Sequence, residues 1–178
     1  MDDPILIQQL NLLLTGYGYN LYNVENRARA DDLLVRQQAC TWLGQAAAQL
    51  AQLATDYSQR YIPTATREQP FPPAANLAQL REIKALGDAV SLLDSRIRGM
   101  AVPTQDKVWS KFRQESVTLH RLLTFDYQLI AGAKALHDSL SSLTIDEWTN
   151  EQAAALRARL HDLETSARQR EAFLVTPF

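Results

Sequence analysis

Residues 83–100 read IKALGDAVSLLDSRIRGM, and their spacing decides the fold class. Ile83, Leu86, Val90, Leu93, Ile97 and Met100 recur at steps of three, four, three, four and three. That rhythm keeps one apolar seam on one side of an α-helix, the pattern by which helices pack into bundles. The helix is expected over about Ala74–Arg98. Gly99 is placed to supply a left-handed terminal residue, and Pro103 forbids continuation.

Upstream, Pro63, Pro70, Pro72 and Pro73 mark residues 62–75 as an exposed loop. Before it, about Val24–Tyr61 runs without proline, long enough for a helix of more than about 50 Å at ~1.5 Å per residue. Its later half carries a stripe of Ala39, Trp42 or Leu43, Ala46, Leu50, Leu53 or Ala54, Tyr57 and Tyr61. Earlier still, residues 1–23 divide into a short helix, about Pro4–Thr15, and a tyrosine-rich loop holding Tyr17, Tyr19 and Tyr22. The short helix is apolar on all sides, so something has to cover it.

Downstream, Thr104 is expected to cap a fourth helix, about Gln105–Ser141, striped by Val108, Phe112, Leu119, Leu122 or Leu123, Ile130, Ala133 and Leu140. Thr144-Ile145-Asp146-Glu147 has the spacing of a capping box and is expected to open a fifth helix, about Ile145–Leu174. Ala153, Leu156, Leu160, Leu163, Ala167 and Leu174 form its inner face. Apolar–polar alternation, the mark of strands, is missing. The expected architecture is all-α. It is one domain over residues 1–178, an antiparallel up-down bundle of four main helices plus the short N-terminal helix.

Charge narrows the partners. Eighteen Lys+Arg against twenty Asp+Glu give a formal net charge of -2, so there is no global field for nucleic acid. Basic and acidic residues alternate along the fourth and fifth helices, as on solvated faces. The start, Met1-Asp2-Asp3-Pro4, lacks the cationic head of a secretory signal, and no apolar stretch is long enough to span a membrane. A cytoplasmic location is expected. The single cysteine, Cys40, excludes an internal disulfide framework and thiolate zinc clusters.

Polar residues on faces that should be apolar are the candidate binding groups. Glu115, Asp126 and His137 fall on the fourth helix's stripe at intervals of eleven residues. At ~1.5 Å per residue, neighbours stand roughly 16 Å apart, so each requires its own partner on a facing helix. Glu25 and Asp32, beside Arg29 and Arg36, begin the long helix as an expected ladder of ion pairs. No Glu-x-x-His, Gly-rich phosphate loop or paired nucleophile and base occurs, so no metal, cofactor or catalytic residue is expected. The candidate contact residues for a partner are Tyr17, Tyr19, Tyr22, Trp42, Phe173 and Phe178.

Three functions follow in order. The first is a non-catalytic interaction subunit, docking on another protein or a second copy through apolar ends and the tyrosine loop. The second is a bundle that binds a small molecule, cofactor or metal around Asp126 and His137. The third is a subunit that contacts nucleic acid within a larger complex.

Overall fold

The computed structural model describes the backbone over residues 24–64, 66–67, 71–100 and 116–175. Side chains are described over 33–64, 66–67, 71–100 and 124–173. Every regular element among the described residues is helical. In order they are α1 (Val24–Tyr61), α2 (Ala74–Gly99), α3 (Ser116–Ser141), a 3-10 turn (Ile145–Glu147) and α4 (Asn150–Val175). None of these helices is long and apolar enough to cross a membrane. The expected N-terminal helix, the tyrosine loop and the first part of the fourth helix lie outside the described residues.

The helices end for local reasons. Proline at 63 halts α1, and its last carbonyls find partners nearby: Asn76 Nδ2 donates to Tyr61 O at 2.8 Å. The same bond ties the end of α1 to the start of α2, which opens just after Pro73. Gly99 does not take the expected left-handed turn, since no described glycine has positive φ. Instead Met100 turns extended (φ -58°, ψ 135°), which tucks its side chain into the core and aims its carbonyl at Arg36.

The second departure is at α4. Glu147 accepts from both the Thr144 N–H and the Thr144 hydroxyl, each at 2.9 Å. These bonds hold its carboxyl below the usual glutamate range, the backbone donor first. The motif closes only one 3-10 turn, however, and α4 begins at Asn150 rather than near Ile145. Trp148 breaks the helix: its backbone is extended at ψ 111°, and its buried indole Nε1 donates to Gln79 Oε1 at 2.9 Å.

The chain pairs as two hairpins. α1 packs on α2 with opposed residue order: Arg36 reaches Met100, Cys40 reaches Asp94 and Tyr61 reaches Asn76. α3 packs on α4 likewise, with Phe125 meeting Phe173, Asp126 meeting Arg170 and Gly132 meeting Leu163. A Cβ on Gly132 would lie 2.9 Å from Leu163 Cδ1, so glycine is what lets Leu163 seat directly on the α3 backbone. Between hairpins the neighbours share a direction. α1 and α3 run alike, Trp42 meeting His137 and Tyr61 meeting Asp146. α2 and α4 do so too, through Gln79–Asn150, Glu82–Arg157 and Arg96–Glu171.

Four seams at alternating steps of three and four meet in the interior. Leu43, Ala46, Val90, Ile97, Leu129, Ala133, Ala153 and Ala167 are all fully enclosed. Burying a side chain the size of Leu43 or Ile97 stabilises the fold by about 1.5–3 kcal/mol.

Candidate functional site

The α1 seam steps Arg36, Ala39, Leu43, Ala46, Leu50, Leu53, Tyr57, and the α4 seam steps Ala153, Leu156, Leu160, Leu163, Ala167, Arg170. Both therefore place an arginine where the rhythm demands a core residue. Sequence reasoning took Arg36 for a rung of a surface ladder and Arg170 for part of a solvated face. The structure corrects both: Arg36 is 6% exposed and Arg170 1% exposed. The signal was there, because each residue keeps the three-four step of its helix, but charge was weighed above position.

Arg170 meets Asp126, which occupies the equivalent seam position on α3. Arg170 Nε donates to Asp126 Oδ1 at 2.6 Å, with side-chain exposures of 1% and 6%. A lone charge at such depth would carry a desolvation cost of several kcal/mol, and the ion pair offsets it. Arg36 Nη1 donates to Met100 O at 2.7 Å. The carboxylate of Asp126 is thus engaged with a guanidinium and does not face an open cavity.

His137 lies three turns further along α3, on the flank facing α1. Its ring stands 4.9 Å from that of Trp42, tilted by 48°. Lys134 Nζ lies 5.7 Å from the Trp42 ring centre. Asp138 accepts from Lys134 Nζ at 2.5 Å, and its Oδ1 lies 3.1 Å from His137 Nδ1. Those two contacts, lysine first, hold the Asp138 carboxyl below its ordinary range. With Nδ1–H directed at Asp138, Nε2 is free to accept from Gln49 Nε2, 3.5 Å away. Trp42 Nε1 and Gln49 Oε1 are buried here without a hydrogen-bond partner among the described residues. The cluster gathers a histidine, a cation and a carboxylate beside the Trp42 ring.

Asp126 and His137 do not share a site: one faces α4 and the other α1. Glu115, Tyr17, Tyr19, Tyr22 and Phe178 lie outside the described residues. Glu25 and Asp32 fall on the described backbone of α1, but their side chains lie outside the described set. Trp42 is half-buried against His137, and Phe173 is half-buried with its ring 5.6 Å from that of Phe125.

Cys40 is spent inside the fold. It is 2% exposed, and burial, reinforced by Asp94, pushes its thiol up to about 12. Among the described residues, no three His, Cys, Asp or Glu gather closely enough to hold a metal ion.

Among the described residues, a groove of about 500 Å³ runs along the outside of the α1–α2 hairpin. Ala47, Ala51, Ala54, Thr55 and Ser58 line it from α1, and Lys84, Gly87, Asp88 and Ser91 from α2. Leu50 and Ile83 form its floor. Among the described residues, neither α3 nor α4 contributes to the lining. A comparison with known proteins finds no matching family model, no curated relative and no matching solved structure.

Proposed function

We propose that this chain is a non-catalytic protein–protein interaction subunit, an adaptor, accessory or scaffold bundle. One observation carries the reading: the outward groove of α1 and α2, walled by small side chains over about three turns. A surface of that shape admits the ridge of another helix. The chemistry supports it by elimination. Asp126 is held by Arg170 and the Cys40 thiol is kept neutral, so the buried reactive groups serve the fold. For the complete chain we infer the up-down bundle with a short N-terminal helix, supported by the opposed residue order within both hairpins. A cytoplasmic location belongs to the same proposal.

A second reading, a small-molecule site, is favoured by one feature: the partnerless Trp42 Nε1 and Gln49 Oε1 beside His137. Native mass spectrometry of the chain purified gently from its own cells separates the two. The interaction reading expects a mass assembled from whole protein chains. A single chain carrying a stoichiometric small molecule overturns it.

A further inference from the structure

The groove has features that packing among the described residues leaves unexplained. Gly44 and Gly87 both lie in helix interiors, where glycine is disfavoured relative to alanine. Neither is forced by its surroundings. Among the described residues, a Cβ at Gly44 would meet nothing within 4 Å, and one at Gly87 would sit at an ordinary 3.6 Å from Leu50 Cβ. Gly87 lines the groove, and Gly44 continues the face formed by Ala47, Ala51, Thr55 and Ser58. Glycine kept at such points fits the close approach of a second backbone.

The rim adds charge. Lys84 and Asp88 stand one helical turn apart on α2, both exposed, and neither has an ion-pair partner among the described residues. One turn past Asp88 is Leu92, 73% exposed. A twofold axis crossing α2 between Lys84 and Asp88 would bring each lysine against the other copy's aspartate. The two α2 helices would then cross beside Gly87, each lying in the other's groove, with Leu92 turned toward the opposing α1. Opposite charges placed symmetrically about one point match a surface that pairs with itself.

We infer that the α1–α2 groove is a self-docking surface, and that its occupant is α2 of a second copy of this chain. The inference rests on the interaction-subunit reading and names its partner.

Sedimentation velocity on the purified full chain tests it, with circular dichroism confirming that each variant is folded. The parent chain is expected to sediment as a dimer. Lys84→Asp sets aspartate against aspartate at two symmetric points, so dimer affinity should fall at least about tenfold. Adding Asp88→Lys restores opposite charges in reverse and should recover the dimer. Gly87→Leu, which fills the crossing, should give a folded monomer. A parent chain that stays monomeric up to about 100 µM overturns the inference. So does a Lys84→Asp/Asp88→Lys chain no better paired than Lys84→Asp. A chain that is monomeric alone but assembled with another protein in cells overturns self-docking while leaving the interaction reading intact. A single, undimerised native chain carrying a stoichiometric small molecule overturns both.

Discussion

Replacing Asp126 by alanine takes the carboxylate from a guanidinium that remains in the core. Arg170 is 1% exposed and cannot reach water without moving α4, so the cost is that of breaking a buried pair from one side. Such losses run to about 3–5 kcal/mol. At about 2–4 °C per kcal/mol for a chain of this size, the midpoint should fall by about 6–20 °C. Asp126→Leu with Arg170→Met replaces the pair by apolar groups of similar volume and should return most of that stability. Urea unfolding followed by far-UV circular dichroism of the parent, Asp126→Leu, Arg170→Met and the double variant supplies all four corners of the cycle. The coupling energy should exceed about 2 kcal/mol, with an unchanged denaturant slope. A single substitution costing under about 1 kcal/mol, as at an exposed ion pair, would refute the reasoning. So would a double variant no more stable than Asp126→Ala.

Three further outcomes are expected. Native Cys40 should alkylate only as fast as the chain opens, and urea should speed the reaction; its contribution to stability is intact below the ordinary thiol value of 9.0 and is lost as pH rises toward about 12. Labelling at the rate of a free thiol would contradict this. The depressed Glu147 carboxyl contributes stability above its ordinary value of 4.5, lost as pH falls through the lower folded value. Thr144→Val removes one of its two donors, and an NMR titration should show that carboxyl moving part of the way back up; no movement would exclude the hydroxyl bond. Leu43→Ala, at a fully enclosed position, should cost about 2–5 kcal/mol in the same urea assay, and a loss below about 1 kcal/mol would mean that the site is not closed.

The seam from Ile83 to Met100 was fully legible, and all six of its residues are buried. Its rhythm is local and apolar, so nothing competed with the reading. The start of α4 was not legible, because a capping box reports how one turn closes, not whether a helix continues. The inward turn of Trp148 toward Gln79 depends on a helix that lies 69 residues away. Asp126 was legible as a polar interruption of a stripe. Its partner was hidden because Arg170 was classed by its charge, although the α4 spacing had already placed it inside. The groove could not be read from the sequence at all. Ala47, Ala51 and Gly87 are ordinary small helical residues until α1 and α2 lie side by side.

The side-by-side parallel pairs also bear on how the chain assembles. Each hairpin closes over nearby sequence, as where Asn76 reaches Tyr61 across 15 residues. Joining the hairpins needs contacts such as Gln49 with His137, which span 88. Loop-closure entropy favours the local events first, so the hairpins are expected to form early and dock late. Docking contacts made after the rate-limiting barrier control escape from the native state more than arrival at it. Variants at Trp42, His137, Glu82 or Arg157, which bridge one hairpin to the other, are thus expected to shorten the folded lifetime more than they slow refolding, a split that stopped-flow kinetics would read.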